Sequence, residues 1–261
     1  MNILLSGICG FMGREVVALC DNGYRGANLV AGVDPGASGR EAVATYKSFD
    51  EIPDAICADC IVDFSHHSAI GSILDYAKKH NTPVVVATTG HTEDEIFEIK
   101  SAAEEIPVFY SGNMSLGIAL LMELAKTVAA AMPEAEVEII EKHHNRKLDA
   151  PSGTALMLAE AVREVRPSAY NNLGRSGHGK RSPDEIGIHS IRMGNIVGEH
   201  EVIVGTPNQT ITLKHEAHNR ALFAEGALAA ADFLVGCPLG LYDMKSIVSD
   251  TDKTDTVVTA K

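Results

Sequence analysis

The 261-residue sequence predicts an α/β fold in two parts. The first is an open parallel sheet wrapped by helices; the second is an α+β domain whose sheet is mixed and mostly antiparallel. Three observations predict this. Up to residue 110, short apolar runs such as Asn2–Ser6 (NILLS) and Pro83–Ala87 (PVVVA) alternate with segments of helical spacing. Strands without polar alternation are buried on both faces, as in parallel sheets. After Asn113 the pattern changes to a long Ala/Leu-rich segment and then to polar/apolar alternation. A glycine-rich turn, Gly7-Ile8-Cys9-Gly10-Phe11-Met12-Gly13, joins the first apolar run to the first helical segment.

In chain order, Asn2–Ser6 predicts a strand and Arg14–Cys20 a helix with Val16, Val17 and Leu19 apolar. Leu29–Asp34, Ile61–Phe64, Pro83–Ala87 and Pro107–Tyr110 predict further strands, with helices over Ala69–His80 and Glu93–Glu105 between the later ones. Leu116–Ala131 reads as a helix closed by Pro133, and Ala135–Ile140 as a half-exposed strand reaching Glu141. A helix over Thr154–Val165 follows. Ile186–Met193, Glu199–Val204 and Gln209–Glu216 predict three antiparallel strands, separated by Gly, Asn and Pro turn signals. Arg220–Val235 is again helical and is expected to return to the first domain; Thr251–Lys261 is a polar tail expected to pack little. Residues 1–114 with 221–261 therefore form one predicted domain, and 115–220 the other.

Composition narrows the class. With 22 basic and 35 acidic residues the formal charge is 22 − 35 = −13. Such a chain repels nucleic acid and anionic membranes unless a local patch overrides the balance. No Trp is present, so stacking platforms for sugars or single strands are not expected. No apolar run approaches the roughly 20 residues that span a bilayer, and the start lacks a signal-peptide pattern; a cytoplasmic location is expected. Five scattered cysteines, including Cys57-Ala-Asp-Cys60, read as reduced thiols without a metal site or a disulfide framework.

The glycine turn is of the kind that binds a dinucleotide. Glycines three apart let the backbone turn tightly and approach a pyrophosphate, while the helix N-terminus presents N–H groups to the anion. Asp34, at the end of the second strand, stands where an acid accepts hydrogen bonds from the adenosine ribose of NAD. This makes the first domain Rossmann-like. Two further loops at strand ends, Ala87-Thr88-Thr89-Gly90 and Ser111-Gly112-Asn113-Met114, carry small and hydroxyl residues suited to a nicotinamide and its ribose.

The stretch EKHHNRKLDAPSGTA, Glu141–Ala155, gathers Lys142, Arg146 and Lys147 around two histidines in an acidic chain. His143 and His144 are placed where the preceding strand ends and a loop begins. Pro151 turns Ala150 away from helix, Ser152 or Thr154 supplies the next helix cap, and Gly153 lets the backbone approach a ligand. A helix N-terminus beside Lys147 and an imidazole is suited to carboxylates. A ligand with two carboxylates could use the helix end for one and Lys147 for the other, with a histidine handling a proton. Lys142 and Arg146 have no assignment at this level.

The run Glu138–Ala155 (EIIEKHHNRKLDAPSGTA) resembles the signature of the dihydrodipicolinate reductase family, also called 4-hydroxy-tetrahydrodipicolinate reductases. The resemblance extends to Gly7/Gly10/Gly13, Asp63-Phe-Ser65, Ala87-Thr-Thr-Gly90, Asn113-Met-Ser, Gly194-Asn-Ile-Val-Gly-Glu-His200 and Leu241-Tyr-Asp-Met244, and so covers nearly the whole chain. It implies an NAD(P)H-dependent oxidoreductase of lysine and meso-diaminopimelate biosynthesis, reducing a small cyclic dicarboxylate to tetrahydrodipicolinate. By matched position, His143 and Lys147 would be the catalytic, proton-handling pair, and His144, Gly153 and Thr154 would bind the substrate. Gly7, Ile8, Cys9, Gly10, Phe11, Met12, Asp34, Ala87, Thr88, Thr89, Ser111, Gly112, Asn113 and Met114 would line the cofactor. The resemblance further implies a homotetramer assembled through the substrate-domain sheets and a hinge near Asn113–Ser115 and Arg220.

Two positions depart from that pattern. Phe11 stands where many relatives carry a basic residue that could help hold the pyrophosphate. Pro35 follows Asp34 where relatives that use NADPH well often carry a cation, so NADH is the expected cofactor and NADPH a possible one, unless Arg14 or Lys47 reaches a 2′-phosphate. Alternative readings are a related two-domain dehydrogenase of an amino or semialdehyde acid, and a cofactor-binding regulator without turnover.

Overall fold

In the computed structural model, which describes residues 1–39 and 43–251, the chain begins with β1 (Asn2–Ser6). α1 (Phe11–Asp21), β2 (Asn28–Val33), β3 (Thr45–Tyr46), β4 (Cys60–Asp63), α2 (Ile70–His80), β5 (Val84–Val86), α3 (Glu93–Ala102) and β6 (Pro107–Tyr110) follow. Next come α4 (Leu116–Ala131), β7 (Glu136–His143), α5 (Gly153–Val165), β8 (Tyr170–Leu173), β9 (Glu185–Arg192), β10 (Gly198–Thr206) and β11 (Gln209–Ala217). α6 (Ala221–Leu234), β12 (Gly240–Tyr242) and α7 (Met244–Thr251) close the described chain. The expectation for the Thr251–Lys261 tail falls, beyond Thr251, outside the described residues. Two compact units divide at Ser115/Leu116 and Asn219/Arg220, the segment from Arg220 belonging with the N-terminal part.

The first unit is a seven-stranded sheet in the order β12-β6-β5-β4-β1-β2-β3, with every pairing parallel. Ile3, Leu4 and Leu5 have no solvent exposure because β1 lies between β2 and β4, with both of its faces covered. Leu4, Ile61, Val84, Val86 and Val108 pack with Ile70, Ile73 and Leu74 of α2 and Ile99 of α3. The alternate strand residues face the other way, where Phe109 meets Phe233 of α6 at 6.5 Å between ring centroids. Chain order reverses between β1 and β4, so the crevice beyond their C-terminal ends is where a doubly wound sheet binds its ligand.

The second unit is a five-stranded sheet, β11-β10-β7-β9-β8, with α4 and α5 on one face. Ile118, Leu121 and Ala125 of α4 and Leu158 and Val162 of α5 bury against Val137, Ile139, Ile186, Ile188, Val202 and Val204. β10 runs antiparallel to both β11 and β7, whereas β7–β9 and β8–β9 are parallel.

The sequence expectations hold for most elements and fail at identifiable places. β9, β10 and β11 alternate in direction as expected, but β9 does not pair with its chain neighbour β10, because β7 lies between them; the turn at Met193–Val197 therefore does not close a hairpin. β3, β8 and β12 escape a periodicity reading because they are edge strands of two to four residues. β7 does not stop at Glu141. Its ladder continues through the register pairs Lys142↔Ile191 and His143↔Arg192, so His143 is a strand residue and only His144 begins the loop.

Candidate active site

The glycine turn follows directly from β1. Gly7 has φ +84, and a Cβ there would lie 2.4 Å from the Phe64 carbonyl oxygen. A Cβ on Gly13 would lie 2.1 Å from the Gly7 carbonyl oxygen, and one on Gly10 3.1 Å from the same atom. These three positions hold β1, the turn and α1 so close that a side chain at Gly7 or Gly13 would force them apart. Gly10 caps α1, so the helix N-terminus opens at the turn. A cavity of about 360 Å³ beside it is lined by Gly7, Gly10, Asp34, Lys47, Ser48 and His66, among others. Backbone cradle, helix end and acid-bearing cavity fit the pyrophosphate and adenosine of a dinucleotide.

Asp34 also organises this turn. Its Oδ2 accepts the Cys9 N–H at 3.0 Å and its Oδ1 the Gly36 N–H at 2.8 Å. Each carboxylate oxygen retains a second lone-pair direction for a ribose hydroxyl. Lys47 lines the same cavity, and among the described residues its ammonium has no ion-pair partner. Phe11 is 52 % exposed and carries no charge, yet the Arg220 guanidinium lies 5.6 Å from its ring centroid. Positive charge thus stands beside the turn although residue 11 does not supply it.

Ile8 and Cys9 line a different cavity, of about 550 Å³, with Arg14, Cys20 and Leu29. The Ile8 side chain packs under Gly32, where a Cβ would lie 2.4 Å from Ile8 Cδ1, so any ligand contact of Ile8 would be through its backbone. Ala87 and Thr88, at the end of β5, are buried, and the Ala87 N–H donates to the Asp63 carbonyl at 3.0 Å. Thr89 and Gly112 are exposed, Met12 and Asn113 half-buried, and Ser111 and Met114 buried. Ser111 Oγ donates to the Asn113 carbonyl at 2.9 Å, and Asn113 Oδ1 accepts the Ser115 N–H at 2.9 Å, which closes the loop after β6.

The second cluster is in the other unit. β7 alternates strictly, placing Val137, Ile139, Glu141 and His143 on the helix-covered face and Glu138, Ile140 and Lys142 on the opposite one. Sheet register extends this face sideways: Glu141 lies between Ser190 of β9 and His200 of β10, and His143 lies beside Arg192. His143 Nδ1 is 2.5 Å from Glu141 Oε2. The Arg192 guanidinium binds both Glu141 oxygens, at 2.8 and 2.7 Å, and the Ser152 N–H donates to Oε1 at 3.1 Å. A Cβ on Gly198 would lie 3.1 Å from His143 Nε2, so a bare backbone flanks that nitrogen.

Ser152 is the cap of α5; its Oγ accepts the Ala155 N–H at 3.2 Å and stands 3.2 Å from His200 Nε2. A cis Ala150–Pro151 bond precedes it. Gly153 and Thr154 occupy the first helical turn, where no helical carbonyl precedes their N–H groups. A Cβ on Gly153 would meet nothing within 4 Å, which leaves its approach open. His144 begins a turn closed by the Lys147 N–H donating to the His144 carbonyl at 3.1 Å. Lys147 Nζ pairs with Asp149 Oδ1 at 2.9 Å.

Burial alone would raise the Glu141 carboxyl, but hydrogen bonds from His143, Arg192, Ser190 and Ser152 outweigh it and hold the group well below the ordinary range. A carboxylate with 0 % exposure persists only because its oxygens are saturated by donors. Its truncation would strand the Arg192 charge, at a cost of about 3–5 kcal/mol. His200 is buried and pushed down from 6.5 to about 4, first by burial and then by the neighbouring His143, so it stays neutral.

The structure therefore brings His143, Lys147, His144, Gly153 and Thr154 to one end of β7 and α5. Lys142 and Arg146 do not join them. Lys142 points to the opposite face and pairs with Glu199 at 3.0 Å and Glu201 at 3.2 Å, while Arg146 bonds Asn195 at 2.9 Å. Sequence reasoning did not assign Glu141, Arg192, Gly198 or His200. Glu141 is two residues before His143, the same-face spacing of a strand, and the other three lie in or beside the GNIVGEH run. In the first unit Ser48 and His66 line the cavity beside the glycine turn, and Arg220 stands at Phe11, none of them singled out for the cofactor by the sequence.

Comparison with known proteins gives one consistent result. The family described as dihydrodipicolinate reductase, N-terminus, matches residues 1–114, and its C-terminus counterpart matches residues 117–248. A 4-hydroxy-tetrahydrodipicolinate reductase of Caldanaerobacter subterraneus subsp. tengcongensis is 43 % identical over 252 residues, covering 95 % of this chain and 98 % of that protein. One of Clostridium novyi is 41 % identical over 249 residues, covering 94 % and 97 %. A dipicolinate-bound dihydrodipicolinate reductase from Paenisporosarcina sp. TG-14 superposes with a TM-score of 0.79 at 27 % identity, covering 93 % of this chain and 97 % of that one.

Proposed function

The chain belongs to the dihydrodipicolinate reductase family, and on that premise we propose that it reduces 4-hydroxy-tetrahydrodipicolinate, or the dihydrodipicolinate formed from it by loss of water, to tetrahydrodipicolinate. This is an NAD(P)H-dependent step of lysine and meso-diaminopimelate biosynthesis, and a place in the cytoplasm belongs to the same reading. Two-domain dehydrogenases of other acids and a regulator without turnover are disfavoured, because both halves match this one family of reductases.

The observation that carries the reading is the end of β7 and α5: a buried imidazole with one nitrogen held by a carboxylate, a lysine, and the start of a helix. His143 and Lys147 are the proton-handling pair in this proposal. One substrate carboxylate is received at the first turn of α5 by Gly153 and Thr154, with His144 beside it. The other takes Lys147 from Asp149, which exchanges one charge-assisted bond for another.

The cofactor, when bound, supplies a hydride to the ring. The glycine turn over Gly7–Met12 holds its pyrophosphate, Asp34 its adenosine ribose, and the loops at Ala87–Thr89 and Ser111–Met114 its nicotinamide half. NADH is the favoured cofactor, because Asp34 sets negative charge where NADPH carries a phosphate and Pro35 adds no cation. NADPH remains usable through Lys47. A homotetramer belongs to the same proposal, its assembling surface being the face of the five-stranded sheet that α4 and α5 leave uncovered.

Calorimetric titration with pyridine-2,6-dicarboxylate tests the site. Binding should weaken by about 1.5–3 kcal/mol in Lys147→Ala. Equal affinity in the variant would remove Lys147 from the carboxylate site.

A further inference from the structure

Directly behind His143 stands a carboxylate with no solvent exposure, on the same strand and the same face. Glu141 Oε2 receives His143 Nδ1 and Arg192 Nη1; Oε1 receives Arg192 Nη2 and the Ser152 N–H. With the Ser190 side chain as a further donor, these bonds, two of them from one bidentate guanidinium, leave the carboxyl no proton to give. A permanent acceptor opposite Nδ1 decides which nitrogen of the neutral ring carries hydrogen.

We infer that Glu141 is a positioning residue for His143: its carboxylate fixes the ring as the Nδ1–H tautomer, directs Nε2 along the bare backbone at Gly198, and balances the ring when both nitrogens are protonated. The inference rests on the proposed role of His143 in handling a proton. Among the described residues no other charged or titratable neighbour does this work. His200 meets the His143 ring edge-on at 5.2 Å between centroids and turns its own Nε2 to Ser152. His215 lies behind His200 in register. Lys147 is directed to Asp149, and Arg192 to Glu141 itself and to the Asp149 carbonyl. Lys142, the residue between the pair, belongs to the other face.

The arrangement also links two parts of the site. Through the Ser152 N–H, one oxygen of Glu141 is tied to the cap of α5 while the other is tied to His143. Proton-bearing ring and carboxylate-receiving helix end are thus set against a common anchor, and Arg192 keeps that anchor anionic and fixed in orientation.

NMR on the full-length wild-type protein labelled with ¹⁵N-histidine, His143 being assigned by comparison with His143→Gln, reads the tautomer without substrate or turnover. We expect neutral His143 to carry its proton on Nδ1, with a downfield hydrogen-bonded resonance; a neutral Nε2–H ring would overturn the inference. In turnover, Glu141→Gln should lower kcat roughly 10–1,000-fold with KM within about threefold, and shift the pH limb of kcat downward because the imidazolium loses its counter-charge. Glu141→Asp should recover part of the loss. A kcat within about threefold of wild type with an unmoved limb, or an equal effect of Glu141→Gln in the His143→Gln background, would overturn it. If Glu141→Gln does not fold, the tautomer of the wild-type protein decides alone. If the Nδ1–H tautomer is found but no form of the protein turns over, the functional reading fails and only the fixing of the tautomer by Glu141 stands.

Discussion

His143 Nδ1 and Glu141 Oε2 are 2.5 Å apart, on residues two positions apart on one face of β7. Such a contact cannot be relaxed without turning the ring, because Glu141 is paired on both sides, by β9 and β10, and His143 is held by β9. The other nitrogen of the ring faces Gly198. The imidazole is therefore held between a fixed carboxylate and a fixed backbone.

Gly198→Ala should consequently act on chemistry as well as on stability. Its Cβ would lie 3.1 Å from His143 Nε2, closer than most Cβ contacts, and the backbone there is not in the left-handed region. The ring must move by a few tenths of an ångström, against the bond to Glu141. Expected is a fall in kcat of roughly tenfold or more in a protein that still folds, since misplacement of a reacting group is costly, whereas one methyl added at this buried position costs about 1–3 kcal/mol of stability. An unchanged kcat would mean that Nε2 does not approach the substrate.

His200 predicts a pH-dependent stability of definite sign. Its folded-state value is depressed from 6.5 to about 4, so the unfolded chain takes up a proton in this window and the folded chain does not. Stability is complete above about pH 6.5, falls as pH drops toward 4, and rises with pH between them; the full gap corresponds to roughly 3 kcal/mol. Glu141 operates below this window, since its value lies under 4.5 and its contribution is lost only on further acidification. His91 and His215 are shifted in the same direction as His200, so the informative quantity is a difference of slopes. Urea midpoints followed from pH 7 to 4.5 should fall less steeply for His200→Gln than for wild type. Parallel slopes would contradict a neutral, buried His200.

Asp34 and Lys47 line one cavity, and on the proposed cofactor site the choice between NADH and NADPH should turn on them. The acid opposes a 2′-phosphate and the lysine attracts it. NADH should have the higher kcat/KM at low salt; Lys47→Ala should widen the gap by about tenfold and leave NADH use within about twofold, and Asp34→Asn should narrow it. If NADPH is used equally well by Lys47→Ala and by wild type, Lys47 does not read the phosphate.

Most of this architecture was legible in the residues because it depends on local patterns. NILLS and PVVVA read as buried parallel strands, the glycines at 7, 10 and 13 as a close turn, and Pro-Ser-Gly-Thr as a helix start. Elements that depend on partners were not. Nothing local to Glu185–Arg192 says that β7, and not β10, lies beside it, and the two-residue β3 has no periodicity to read. The end of β7 was misplaced for the same reason: Lys-His-His looks like loop, and only pairing with β9 makes His143 a strand residue.

The site divides likewise. His143, Lys147 and the helix cap stand in one contiguous stretch, so their chemistry could be proposed from it. Glu141 stands in that stretch too, but its meaning comes from Arg192, some fifty residues later, which turns an ordinary acidic position into a buried anchor. Lys142 shows the converse. It seemed part of a basic cluster, and strand alternation sends it to the opposite face, where Glu199 and Glu201 neutralise it. The basic character of the stretch is therefore carried toward the site by Lys147 and the histidines.

The central claim is that the groups at the end of β7 reduce a cyclic dicarboxylate with a nicotinamide cofactor. The direct measurement supplies the substrate in situ from the upstream synthase and follows NADH and NADPH oxidation in parallel, for wild type, His143→Gln and Lys147→Ala. The account predicts substrate-dependent oxidation by wild type, faster with NADH, and a fall in kcat of roughly 10²–10⁴-fold for each variant. Absence of substrate-dependent oxidation by wild type, or turnover by both variants at the wild-type rate, would contradict it.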